Sequence, residues 1–119
     1  EENAWGVFGD LTAMYDLAAP ALLNQVMCRG RMLVVINNGG GKIFDRLPAV
    51  QRLSNEVSEL VSNAHEHDFE AWAEMWGMRY VRVDGLESFD LEPAEETTVV
   101  EIIPDKRQTA LFWEKLAKI

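Results

Sequence analysis

Two stretches, Met-Leu-Val-Val-Ile at 32–36 and Thr-Val-Val-Glu-Ile-Ile at 98–103, carry apolar side chains at nearly every consecutive position. A strand with one wet face alternates apolar and polar residues, so runs like these belong to strands covered on both faces, as in parallel sheets flanked by helices. Shorter runs at 5–8 and 80–83, rich in aromatic and β-branched residues, read as two further strands. Helical patterns lie between them. Pro20 suits the first turn of a helix to about Met27, with Ala21, Leu22, Leu23, Val26 and Met27 as its apolar stripe. Asp68 is placed to cap a helix through Trp76, in which Phe69, Trp72, Ala73 and Trp76 share one face and Gly77 is the stop. A last helix from about Lys106 turns Leu111, Phe112, Leu116 and Ile119 toward a core, and Trp72, Trp76 and Trp113 read as core residues as well. Residues 46–66 carry a helix near 53–62, and the acidic stretch 87–96 reads as a solvated connection. The alternation predicts one α/β domain over 1–119, a three-layer α/β/α arrangement on a mostly parallel sheet of about four strands.

Charge narrows the partners. With 20 Asp and Glu against 11 Lys and Arg, the formal charge is -9, which disfavours nucleic acid and anionic lipid. A polyphosphate ligand would also be repelled, so its charge must be offset locally by a metal or by backbone N–H groups. No apolar run reaches the roughly 18 residues of a membrane span. The single cysteine, Cys28, has no partner for an internal disulfide and no base patterned near it, which fits a reducing, cytoplasmic setting and gives it no catalytic role.

Two motifs fall directly after the first two strands, where α/β sheets place ligands. They are Gly9-Asp10-Leu11-Thr12 and Asn37-Asn38-Gly39-Gly40-Gly41-Lys42-Ile43-Phe44. Asp10 offers a hard carboxylate oxygen, Asn38 a neutral carbonyl oxygen, and the glycines let a main-chain carbonyl turn inward. Such a half-cage suits Mg²⁺ when phosphate oxygens and water complete the octahedron. The glycines before Lys42 do not make a nucleotide-binding P-loop, because Ile43 stands where Ser or Thr is required and Ile36 where the earlier glycine is required. Taken alone, Asp10 reads as a helix cap and the Asn-Gly run as a turn, and His65 and His67 read as solvated side chains of a polar loop.

Gly9-Asp10-Leu11 and Asn37-Asn38, separated by the 25 residues from 12 to 36, resemble the metal and diphosphate motif of thiamine-diphosphate enzymes. The text around them, Gly-Asp-Leu-Thr-Ala-Met-Tyr-Asp-Leu at 9–17 and Asn-Asn-Gly-Gly-Gly-Lys-Ile-Phe at 37–44, is similar to one branch of that family. That branch is the 2-succinyl-5-enolpyruvyl-6-hydroxy-3-cyclohexene-1-carboxylate synthases (MenD) of menaquinone biosynthesis. Ala64-His65 and Asp68-Phe69-Glu70 look like it too, whereas Gly39 stands where relatives often carry Asn or Asp.

The resemblance implies that Mg²⁺ (or Mn²⁺) would be held by Asp10, Asn38 and the Gly40 carbonyl and would bridge to thiamine diphosphate. Gly9, Leu11 and Thr12 would lie beside the diphosphate, with Ile43 and Phe44 walling the thiazolium. It implies a transferase that decarboxylates 2-oxoglutarate and adds the resulting carbanion to isochorismate. It further implies a homo-oligomer, since the carboxylate that activates the cofactor comes from the pyrimidine-binding domain of a neighbouring subunit. On this reading the chain is part of a cofactor-binding domain, holds no catalytic residue of its own and is inactive alone, with its first strand left as a sheet edge. The alternatives are a non-catalytic stand-alone α/β module, or a piece of another thiamine-diphosphate-dependent decarboxylase or synthase.

Overall fold

A computed structural model describes residues 3–25, 30–85 and 95–119. Four strands form one all-parallel sheet: β1 (Ala4–Gly9), β2 (Arg31–Ile36), β3 (Arg79–Val83) and β4 (Thr97–Ile102), in the order β1-β2-β4-β3. The two apolar runs are the two central strands. Register pairs Val34 with Val100 and Ile36 with Ile102, so equivalent side chains of β2 and β4 share a face. One face gathers Leu33, Val35, Val99 and Tyr80, packed by Ala13 of α1 (Asp10–Tyr15) and by Phe69, Trp72 and Ala73 around α3 (Glu70–Met75). The opposite face gathers Met32, Val34, Val83 and Val100. Helices lie between β1 and β2 and between β2 and β3, and the all-parallel sheet makes this an α/β fold.

The helix expected near 53–62 is α2 (Asn55–Ser62), capped by Ser54 Oγ, which accepts from the Val57 N–H at 3.5 Å. Asp68 accepts from the Glu70 N–H at 3.3 Å at the start of α3, and Gly77 (φ +63) follows its end. Trp72 and Trp76 both aim their indole N–H at the Leu17 carbonyl, each at 2.9 Å, tying α3 to the loop after α1. No helix among the described residues is long and apolar enough to cross a membrane.

Two expectations are corrected. The segment expected as an α-helix from Pro20 to Met27 is a 3-10 helix, Ala19–Gln25, with 26–29 outside the described residues. Leu22 there is 60% exposed, so part of the supposed stripe has no packed face to favour α-helical winding. The last helix, α4 (Lys106–Leu116), has no buried residue. Leu111, Phe112, Leu116 and Ile119 are exposed, and Trp113 lies under the Arg46 guanidinium, 4.5 Å from its ring centroid, instead of in a core. Periodicity identified an apolar face without saying what it packs against. Cys28 and most of the acidic connection at 87–96 lie outside the described residues.

Among the described residues β1 pairs with β2 alone and forms an edge of the sheet, with Trp5 51% and Val7 68% exposed. An apolar edge without Lys, Pro or a bulge recruits other strands. The chain is expected to self-associate at high concentration, and Val7→Lys to shift it toward monomer in sedimentation. Identical sedimentation of parent and variant would exclude β1 as the contact.

Candidate functional site

Asp10 is the first residue of α1, yet its side chain does not act as the helix cap; that position belongs to Gly9, which has no side chain to offer. Asp10 is 3% exposed, and its carboxylate spans two loops. Oδ1 accepts from the Leu11 N–H at 2.7 Å, while Oδ2 accepts from both Gly39 and Gly40 N–H at 2.9 Å. The two sequence motifs, 29 and 30 residues apart, are thus joined through one carboxylate.

The glycine turn follows from close approach. Gly39 and Gly40 have φ of +79 and +130, and a Cβ at Gly40 would lie 2.7 Å from the Ser62 carbonyl and 3.0 Å from that of Asn63. The Gly41 N–H donates to Ser62 O at 2.6 Å, and the His65 N–H to Gly39 O at 3.3 Å. Only residues without a side chain let the turn lie this close to the backbone that leaves α2.

His65 corrects the reading of a solvated histidine. Its side chain is 6% exposed, with Nε2 3.2 Å from Asp10 Oδ2. Nδ1 accepts from the His67 N–H at 3.2 Å, so in the neutral ring the hydrogen sits on Nε2, on the side of Asp10. That hydrogen misses hydrogen-bond alignment, leaving an electrostatic contact. His67 itself is exposed, as expected.

Beneath the turn lies a buried polar cluster that the sequence reading missed. Asn37 is 7% exposed and Glu101, on β4, is fully buried. Glu101 Oε1 accepts from Asn37 Nδ2 at 2.5 Å, and Oε2 accepts from the Phe69 N–H at 3.1 Å and the Tyr80 hydroxyl at 2.5 Å. Burial, together with the hydrogen bond and the charge of Glu101, holds the Tyr80 hydroxyl far above its usual range, so Tyr80 stays a donor. The signal was present in the sequence: a glutamate inside an otherwise apolar strand must find partners.

These groups border a cleft of about 560 Å³ whose lining includes Asn37, Asn38, Lys42, His65 and Glu101. It opens beside the carboxyl ends of β2 and β4, the side where parallel sheets bind ligands. Of the expected site residues, Asp10 and Gly40 come together, and exposed Asn38 stands next to Gly39 in the same turn. Leu11 borders Gly41, while Thr12 lies one step along α1 beside a separate apolar pocket with Phe8 and Trp72. Gly9, Ile43 and Phe44 are exposed, the last two in the 3-10 turn Lys42–Phe44.

The arrangement fits a divalent cation. Oδ2 of Asp10 is taken up by two amides and fixes the carboxylate, whereas Oδ1 meets only the adjacent Leu11 N–H among the described residues. Oδ1, the Asn38 amide oxygen and the Gly40 carbonyl are hard oxygen donors of the type such a cation takes, and Asn38 and Gly40 flank the Gly39 that Asp10 holds.

No family model matches the chain. It is similar to two proteins named 2-succinyl-5-enolpyruvyl-6-hydroxy-3-cyclohexene-1-carboxylate synthase. The one from Akkermansia muciniphila is 47% identical over 97% of this chain and 22% of the relative. The one from Bdellovibrio bacteriovorus is 34% identical over 97% of this chain and 20% of the relative. The chain thus spans about a fifth of the length of the curated relatives it matches.

Proposed function

Because the chain is homologous along 97% of its length to one segment of the 2-succinyl-5-enolpyruvyl-6-hydroxy-3-cyclohexene-1-carboxylate synthases, we propose that it is their diphosphate- and magnesium-binding part. The whole protein would be a thiamine-diphosphate-dependent transferase of menaquinone biosynthesis that forms a carbon–carbon bond from 2-oxoglutarate and isochorismate. The observation that carries this reading is Asp10, whose buried carboxylate clasps the Gly39-Gly40 turn and leaves one oxygen with a lone pair to spare.

In that role Asp10, Asn38 and the Gly40 carbonyl hold Mg²⁺ or Mn²⁺. Gly9, Leu11 and Thr12 border the diphosphate, and exposed Ile43 and Phe44 supply apolar surface beside the thiazolium. The bound cofactor supplies a site that stabilises a carbanion after loss of carbon dioxide. The chain's own residues bind and orient. The carboxylate that activates the cofactor belongs to the pyrimidine-binding domain of a neighbouring subunit, so this chain alone turns over no 2-oxoglutarate.

Cofactor binding should require the cation, since a chain of charge -9 repels a diphosphate unless a metal bridges it. Calorimetry with thiamine diphosphate should detect heat of binding with Mg²⁺ and lose it in excess chelator. Equal affinity with and without chelator would reject the site.

A further inference from the structure

Asp10 explains how the glycine turn is clasped from one side, but the turn has a second holder that the cofactor reading does not use. Glu101 lies in the central strand β4 with no exposed surface. A carboxylate at that depth persists only if its lone pairs are filled. Its donors come from three separate segments: Asn37 after β2, Phe69 before α3, and Tyr80 on β3.

We propose that Glu101 is a positioning residue for the cation-binding turn, acting through the side-chain amide of Asn37. This rests on reading that turn as the site of the cation and diphosphate.

The argument is one of hydrogen counting. Asn37 Nδ2 donates to Glu101 Oε1 at 2.5 Å and to the His67 carbonyl at 2.8 Å, which uses both of its hydrogens. The amide can then point only one way. Its Oδ1 is left to accept from the Gly39 N–H, at 3.2 Å. A reversed amide would set oxygen against two acceptors and hydrogen against the Gly39 N–H. Gly39 N–H is thus shared between Asn37 Oδ1 and Asp10 Oδ2, so the turn is fixed from the sheet side and the helix side together. Meanwhile the Asn37 main-chain N–H donates to Ile102 O at 2.8 Å, anchoring the start of the turn to the same strand that carries Glu101.

Glu101→Gln separates positioning from mere support. The Phe69 N–H can only donate, so the single oxygen of the new amide must face it, and the new NH₂ falls opposite Asn37. The Asn37 amide is driven to reverse, and Gly39 loses that acceptor. Tyr80→Phe removes a different donor from the same buried carboxylate and leaves Asn37 untouched. Asn37→Ala, which keeps Phe69 and Tyr80 on Glu101, should reproduce the effect and covers the case in which Glu101→Gln fails to fold.

The full chain and the three variants are compared below their melting temperatures in two measurements. Without any cofactor, amide exchange at Gly39 should quicken in Glu101→Gln and Asn37→Ala but not in Tyr80→Phe. With Mg²⁺, the affinity for thiamine diphosphate should fall about ten- to a hundredfold in the first two, the usual loss when a partner of a metal ligand is removed. Tyr80→Phe should bind like the parent. The inference is overturned if Tyr80→Phe matches Glu101→Gln in both measurements, or if Gly39 exchange is unchanged in both Glu101→Gln and Asn37→Ala. If the parent binds no thiamine diphosphate, the functional reading fails, and Gly39 exchange alone still decides whether Glu101 positions the turn.

Discussion

Asp10→Ala is expected to abolish Mg²⁺-dependent binding of thiamine diphosphate and to destabilise the chain by about 2 to 4 kcal/mol, because hydrogen bonds to a charged acceptor are worth more than neutral ones. Three backbone N–H groups, on Leu11, Gly39 and Gly40, lose the Asp10 carboxylate at once, and of these Gly39 keeps Asn37 Oδ1 as an acceptor. Asp10→Asn distinguishes the two effects. Its amide oxygen can still receive the Gly39 and Gly40 N–H groups, although its NH₂ is then set against the Leu11 N–H, so part of the stability should remain while the charge proposed to meet the cation is gone. Calorimetry and urea unfolding on both variants test this. Binding by Asp10→Asn as tight as the parent's would mean the carboxylate does not ligate the cation.

The second large effect is expected at Gly40. An added Cβ there meets main-chain atoms on three sides, Ser62 O at 2.7 Å, Asn63 O at 3.0 Å and Ala64 Cα at 3.2 Å, with φ at +130. Backbone cannot swing away as a flexible side chain can, and this φ is one that L-residues avoid at a cost of 1–3 kcal/mol or so. Gly40→Ala should therefore cost about 3 kcal/mol or more in urea unfolding, through either strain or a displaced turn. Gly9→Ala is the matched control: nothing lies within 4 Å of its added Cβ and its φ of -79 is ordinary. Equal costs at the two positions would show that the turn does not lie against the end of α2.

The central strands were legible because a run such as Met32–Val35 has no polar face to offer water. Asp10 and the glycines were legible because their residue types and spacing are unusual together. Glu101 was harder, since a single charge in an apolar run is read as part of the strand until its three donors are in view. His65 was misread for the opposite reason: its sequence neighbours Glu66 and His67 are polar and exposed, and only the fold turns its ring inward to Asp10. The apolar face of α4 was correctly periodic and wrongly placed. Periodicity is a property of one helix, whereas burial depends on a second surface.

The bond from Gly41 N–H to Ser62 O, 2.6 Å long, closes the intervening chain into a loop that returns through α2. For a flexible closed loop, doubling the length adds only about 0.6 kcal/mol of closure entropy. Changes of length confined to residues 47–53, ahead of the Ser54 cap and of α2, should therefore cost the clasp little. The chain thus sets a turn held by buried carboxylates beside an exposed stretch, opening with Ile43 and Phe44, whose length and sequence the clasp does not dictate.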